Sequence, residues 1–232
     1  MKIEACLFDL DGVVVDTAKY HFRAWRKLAE NLGFDFDEAN NEKLKGVSRM
    51  ESLDILLHTG GIHGVSDTEK EEMAEFKNRL YLEYISTMTP DEILPGVTAF
   101  LEDLKSRGVR LALGSASKNA MTILRRIGLE KAFDEVVDGT KVSKAKPDPE
   151  VFQLGAELLG VVPAEAVVFE DAQAGIEAAV RAGMWCVGVG NPALLARADT
   201  VIPGFEGMTL RRLKELLEKS GRENEKRKET TI

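Results

Sequence analysis

Cysteine, histidine and tyrosine are scarce in this chain, with two, three and three residues among 232. Cys6 and Cys186 lie far apart, each inside an apolar run, so both read as buried core thiols, with a bridge or metal pair as the alternative. No apolar run approaches the roughly 18 residues a membrane-spanning helix needs, because Asp9, Asp11 and Asp16 interrupt the first candidate. The opening Met1–Ala5 carries no basic leader, and a reducing cytoplasm is the expected compartment. Basic residues are also outnumbered: 31 Lys and Arg against 39 Asp and Glu give a net charge of −8. A nucleic-acid partner needs clustered positive charge, so a small-molecule partner is expected instead, and a monomer is the default.

What the chain does have is alternation. The apolar segments 5–10, 109–114, 135–137, 166–169, 185–189 and 200–202 are short and lack helical period, as strands buried on both faces do. From Val97 onward, helical patterns separate them: Val97, Phe100, Leu101 and Leu104 share one face, as do Leu210, Leu213 and Leu217. Gly128 and Gly183 stand where helices stop. This predicts an α/β fold, a doubly wound parallel sheet with helices on both faces. Between the first strand and Val97 the alternation fails. Residues 20–32, 49–58 and a segment capped by Ser66 or Asp67 read as successive helices, the last with a stripe of Met73, Phe76, Leu80 and Tyr84. We expect an all-helical cap at residues 16–89, inserted into a core formed by 1–15 and 90–232. Its tethers would be 14–17 and 87–95, and the charged, apolar-free tail from 221 is expected to fray.

Chemistry-bearing residues gather at predicted strand ends. Asp9 and Asp11 follow the first strand, and Glu170 and Asp171 follow the fourth. Carboxylates placed so close repel unless a cation joins them, and Mg²⁺, with its preference for hard oxygen ligands, is the economical one. Leu113-Gly114-Ser115-Ala116-Ser117 ends another strand in small hydroxylic residues, able to offer hydroxyl and backbone N–H groups to a phosphate. Lys146 precedes Pro147 in a loop from which a helix can start.

Taken in order, Phe8-Asp9-Leu10-Asp11-Gly12-Val13-Val14-Val15-Asp16-Thr17, Ser115, Lys146 and Glu170-Asp171 resemble the four motifs of the haloacid dehalogenase superfamily across nearly the whole chain. The resemblance implies a catalytic set of Asp9 as nucleophile, Asp11 as general acid and base, and Ser115 and Lys146 on the transferring phosphoryl group. It also implies Mg²⁺ held by Asp9, the carbonyl of Asp11 and Asp171, with Glu170 supporting them. A carboxylate at Asp11 points to phosphoryl transfer rather than dehalogenation. Within the superfamily, Tyr20-His21-Phe22-Arg23-Ala24-Trp25 and Lys43-Leu44-Lys45-Gly46-Val47-Ser48-Arg49 are similar to the cap of the β-phosphoglucomutase family, and Ser115-Ala116-Ser117-Lys118-Asn119 to its core loop. This implies a sugar-phosphate substrate, with β-D-glucose 1,6-bisphosphate as intermediate and activator. Arg49 would hold the phosphate that is not reacting. Gly12, Trp25, Lys45, Gly46, Val47, Lys77, Ala116, Ser117, Lys118 and Asn119 would complete the substrate contacts. His21 would link the lid to Asp11 through Lys45, and Thr17 would hold Asp11 away when the lid is open. A sugar-phosphate or small phospho-acid phosphatase shares the core motifs, and a non-catalytic sugar-phosphate binder is a third alternative.

Overall fold

The computed structural model describes residues 1–45 and 47–229. Six strands, β1 (Ala5–Phe8), β2 (Arg110–Gly114), β3 (Glu135–Val137), β4 (Ala166–Glu170), β5 (Trp185–Val189) and β6 (Thr200–Ile202), form one parallel sheet in the order β3-β2-β1-β4-β5-β6. The β1 strand lies at its centre, paired with β2 through Leu7–Ala112 and with β4 through Leu7–Val168. Strand order reverses between β1 and β4, and open sheets of this kind bind ligands at that switch point, beyond the carboxyl ends of the strands.

The period-2 alternation of β1 sorts the two layers. Cys6 and Phe8 face a core shared with Phe100, Leu124, Phe205 and Leu213, from α5 (Val97–Ser106), α6 (Ala120–Arg126), the loop before α9 and α9 (Leu210–Glu229). Ala5 and Leu7 face the other core, with Val151, Phe152, Ile176 and Ala179 of α7 (Glu150–Leu159) and α8 (Gln173–Arg181). Phe8 stacks on Phe169 of β4 with ring centroids 4.7 Å apart, which locks the two site-bearing strands side by side. Cys6 and Cys186 are both buried and lie in opposite layers, so they are packing thiols that cannot meet.

Helices α1 (Ala18–Asn31), α2 (Glu38–Glu42), α3 (Arg49–Thr59) and α4 (Asp67–Ile85) follow β1 and enclose a third apolar cluster of Trp25, Leu28, Phe36, Leu53, Leu56 and Ala74. Two starts follow from capping: Ser48 accepts from the Glu51 N–H, and Ser66 forms a reciprocal box with Glu69. Ser66→Ala is expected to cost about 1 kcal/mol, measured by urea unfolding. α2, capped by Asp37, is too short to leave a periodic signal and escapes the sequence pattern.

The inward stripe of α4 is Ala74, Lys77, Tyr81 and Ile85, not Met73, Phe76, Leu80 and Tyr84, which are half-buried. The helix has turned by about one residue because its inner face meets two surroundings. Ala74 packs in the helical cluster, and Tyr81 and Ile85 pack on the core of the sheet domain. Helix α9 is assigned to Glu229, and the fraying expected of the tail falls on residues from 222 onward that lie outside those whose side chains the structure describes.

The two chain crossings beneath α1–α4 run side by side. Leu94 N–H donates to the Val14 carbonyl at 3.0 Å and Asp16 N–H to that of Glu92 at 3.3 Å, while Val15 bridges to both Asp11 and Ile93. Tyr20 of α1 adds a hydroxyl donated to Glu92 at 2.5 Å, tying the first helix to the second crossing.

Candidate active site

The carboxyl end of β1 delivers Asp9, nearly fully buried, and the end of β4 delivers Glu170 and Asp171. Carboxylate oxygens of these three residues lie within 4.8 Å of one another. Between them sits the Lys146 ammonium, 1 % exposed, donating to Asp9 Oδ1 at 2.6 Å and to Glu170 Oε2 at 2.8 Å. Burial alone would lower the lysine pKa, but Asp9 and Glu170 outweigh it and hold Lys146 above its usual range. The Lys146–Pro147 peptide is cis.

One buried ammonium cannot balance this many acids. Burial first, and the charge of Asp9 second, push the carboxyls of Glu170 and Asp171 well above the usual range, and Asp11 up to about 6. A hard divalent cation beside Asp9, Glu170 and Asp171 would relieve that strain, and oxygen donors alone are what Mg²⁺ selects, so the residues fit it. Two glycines make the close approach possible. A Cβ on Gly12, whose φ is +82°, would meet Asp171 Oδ2 at 2.3 Å, and one on Gly175 in α8 would meet the Glu170 carboxyl carbon at 2.0 Å. Glu170 also accepts from the Ala172 N–H at 3.2 Å, just before α8.

Above the acids lies a cavity of about 600 Å³ between the sheet end and the helices. Asp9, Asp11, Gly12 and Asp171 form its floor. Ala116, Ser117, Lys118 and Asn119, on the loop between β2 and α6, form a core-side wall. His21, Trp25, Lys45, Val47, Arg49 and Lys77 form the wall opposite. Ser115 is fully buried beneath the loop, and its hydroxyl accepts from the Ser117 N–H at 3.1 Å. Thr17, also fully buried, donates its hydroxyl to Asp11 Oδ1. Of the residues singled out in the sequence, Gly46 lies outside the described residues.

The contact of His21 differs from expectation. Its Nδ1 is 3.0 Å from the Lys77 ammonium, and Nε2 is 3.8 Å from Asp11 Oδ1. Lys45 takes no part in this chain; its ammonium lies 3.1 Å from Glu42 and 3.6 Å from Asp171. When Lys77 is an ammonium it can only donate, and in that form Nδ1 accepts and the imidazole proton sits on Nε2, toward Asp11. Burial, with Lys77 and Arg49 adding to it, lowers the His21 pKa well below its usual value, so the ring is neutral. Lys77 is itself brought down to about 7, first by burial and then by Arg49, and its ammonium lies 4.6 Å from the ring centres of both Trp25 and Tyr81.

One site residue escaped the sequence reading. Asn78, next to Lys77 on α4, lines the cavity and accepts from both Arg49 and Asn119. An Asn in a helix interior carries no motif, and its position beside a buried lysine was the only signal.

A family model for haloacid dehalogenase-like hydrolases matches residues 3–183. The chain is 44 % identical to the β-phosphoglucomutase of Bacillus subtilis over 214 residues, 92 % of this chain and 95 % of that one. It is 39 % identical to a phosphorylated-carbohydrates phosphatase of Thermotoga maritima over 184 residues, 78 % of this chain and 82 % of the other. Its fold superposes on the crystal structure of β-phosphoglucomutase from Clostridium difficile with a TM-score of 0.90 at 44 % identity, covering 94 % of this chain and 98 % of that chain.

Proposed function

Since the chain belongs to the haloacid dehalogenase-like hydrolase family, we propose that it interconverts β-D-glucose 1-phosphate and glucose 6-phosphate, as a phosphomutase whose core, 1–15 and 90–232, is covered by a cap at 16–89. The observation that carries this reading is that basic groups stand at two separate places, one buried beneath the cavity floor and one on the cavity walls. Lys146 lies beside Asp9, and Arg49 with Lys118 and Asn119 lines the walls above. A hydrolase needs one phosphate site, whereas a mutase passing through a bisphosphate needs two.

The residues divide the work as follows. Phospho-Asp9 gives its phosphoryl group to the sugar 6-hydroxyl while Asp11 takes the hydroxyl proton. The resulting β-glucose 1,6-bisphosphate turns end for end. Asp9 then attacks the 1-phosphate, and Asp11 returns the proton to the departing C1 oxygen, leaving glucose 6-phosphate and phospho-Asp9. Ser115 and Lys146 hold the transferring group and balance its charge. Asp9, the Asp11 carbonyl and Asp171, supported by Glu170, would hold Mg²⁺, which when bound supplies further positive charge at the transferring oxygens. His21, held by Lys77, presents its Nε2 proton toward Asp11, and Thr17 holds that carboxyl on the tether side. The lid excludes water from phospho-Asp9 until a sugar hydroxyl occupies its place. Trp25 and Lys45, with Gly46 and Val47, make lid-side contacts to the sugar phosphate; Gly12, Ala116 and Ser117 make core-side ones.

The deciding assay supplies β-glucose 1-phosphate, Mg²⁺ and a trace of glucose 1,6-bisphosphate, and quantifies glucose 6-phosphate and free phosphate separately. Glucose 6-phosphate without free phosphate is expected. Free phosphate as the main product would select the rival phosphatase reading, which the identity to the Thermotoga maritima enzyme favours. Arg49→Lys is expected to raise KM about tenfold, with a smaller change in kcat, because a lysine cannot form the planar fork that two phosphate oxygens accept.

A further inference from the structure

The Lys146 ammonium is set against Asp9 and Glu170, yet its backbone belongs to a connection between β3 and α7 that has neither helix nor strand. Both ends of that connection are fixed. Near its start the Asp138 carboxylate accepts from the Thr140 N–H at 2.9 Å, and the Gly139 N–H donates to the Ser117 carbonyl at 3.3 Å. A Cβ on Gly139 would meet the Ala116 carbonyl oxygen at 2.4 Å, so this end lies directly on the loop between β2 and α6. At the other end, Asp148 accepts from the Glu150 N–H at 3.1 Å and gives its own N–H to the Ala145 carbonyl at 3.0 Å. Pro147 and Pro149 have no N–H to give.

The middle of the connection depends on Glu150. Its Oε2 accepts from the Lys144 N–H at 2.7 Å, and the Ser143 N–H donates to both carboxylate oxygens at 3.0 Å. The Ser143 hydroxyl adds contacts of 3.2 and 3.0 Å to the same two oxygens. Among the described residues no other group accepts from either backbone N–H. These donors, the Ser143 N–H first and the Lys144 N–H second, hold the Glu150 carboxyl below the usual carboxylate range. Glu150 also opens α7, where the helix dipole favours a negative charge. Its carboxylate therefore reaches back seven residues and closes the chain around Lys146. Val142, Ser143, Lys144 and Ala145 line the cavity, whereas Glu150 takes no part in the lining.

Resting on the phosphomutase reading, we propose that Glu150 is a positioning residue for Lys146: its carboxylate fixes the Ser143–Lys144 backbone and so sets where the ammonium stands against the transferring phosphoryl group. A lysine stem is flexible, and two carboxylates can bind its ammonium without fixing its backbone. Charge aimed at a transition state is most effective when it needs no rearrangement as the reaction proceeds, which requires the backbone to be held independently of the ammonium. Glu150 supplies that hold from outside the cavity.

Two variants test this. Glu150→Ala removes both acceptor oxygens. Glu150→Gln keeps the stem and one oxygen, and its NH₂ group cannot accept from the second N–H. We expect kcat to fall about a hundredfold in Glu150→Ala and about tenfold in Glu150→Gln, with the KM for β-glucose 1-phosphate within twofold of wild type, because the displaced group acts on the transferring phosphoryl and not on the rest of the substrate. The second readout uses no substrate. In ¹H–¹⁵N spectra of the lysine ammonium groups, the Lys146 signal, assigned by its loss in Lys146→Arg, is expected to shift in Glu150→Ala and to shift less in Glu150→Gln. Thermal melts check that both variants fold; a destabilised fold alone lowers the active fraction and leaves the Lys146 signal of the folded protein in place. A kcat for Glu150→Ala within twofold of wild type, or an unmoved Lys146 signal, overturns the proposal. So does a KM that rises more than kcat falls, which would assign the loop to substrate binding. If wild-type protein releases free phosphate in place of glucose 6-phosphate, the mutase reading fails, and the ammonium spectra still decide whether Glu150 positions Lys146.

Discussion

Asp11→Asn is expected to lower mutase turnover by about a thousandfold or more while the protein stays folded and still binds Mg²⁺. Proton transfer by a positioned carboxyl contributes roughly 10²–10⁴ in rate, and in the proposed cycle one carboxyl both removes a proton from the 6-hydroxyl and returns one to the C1 oxygen. The loss therefore falls on both half-reactions. Asn is isosteric and keeps an oxygen to accept from Thr17, whose hydroxyl donates to Asp11 Oδ1. The proposed metal contact of this residue is its backbone carbonyl, which the substitution leaves in place. Glucose 6-phosphate formation, a Mg²⁺ titration followed by calorimetry, and far-ultraviolet circular dichroism check the three expectations together. Turnover within tenfold of wild type would remove Asp11 from proton transfer. Its environment suits the role: burial and Asp9 bring its pKa up to about 6, near the range where a group both gives and takes a proton at neutral pH.

The second large effect belongs to Lys146. Its ammonium is 1 % exposed and joins Asp9 to Glu170 at 2.6 and 2.8 Å, so Lys146→Met leaves buried acids without their cation. Breaking a buried ion pair by removing one partner costs roughly 3–5 kcal/mol. That loss is expected in urea unfolding with a chelator present. Saturating Mg²⁺ should restore part of it, because a cation that binds only the folded protein stabilises it by mass action. Turnover should also collapse, since charge on the transferring phosphoryl group would no longer be neutralised. A stability loss below about 1 kcal/mol, unchanged by Mg²⁺, would show that Lys146 does not hold the acids together.

Both experiments address residues visible in the sequence, and the reason is physical. Strand-end acids are short, rigidly placed groups, so Asp9, Glu170 and Asp171 could be put on one end of the sheet once the apolar strands had been recognised. Parallel strands buried on both faces read as uninterrupted apolar runs, and all six were legible. Contacts between elements were not. The partner of His21 is Lys77 rather than Lys45 because α4 turns its inner face by about one residue to serve two cores, a balance that no local period reports. Asn78 was silent for the same reason: its meaning depends on Arg49, which lies 29 residues away, and on Asn119, which lies 41 away.

The place of β1 in the sheet also governs how the protein is made. The central strand β1 is synthesised before both of its neighbours, since β2 and β4 begin only at Arg110 and Ala166. Pairings this distant in sequence close late and slowly. Asp9 is therefore synthesised more than a hundred residues before Lys146, Glu170 and Asp171, the groups it meets at the sheet end. A polypeptide stalled before Lys146 carries the proposed nucleophile without the groups proposed to make it react. Reactivity at Asp9 is thus expected only once the centre of the sheet is closed on both sides.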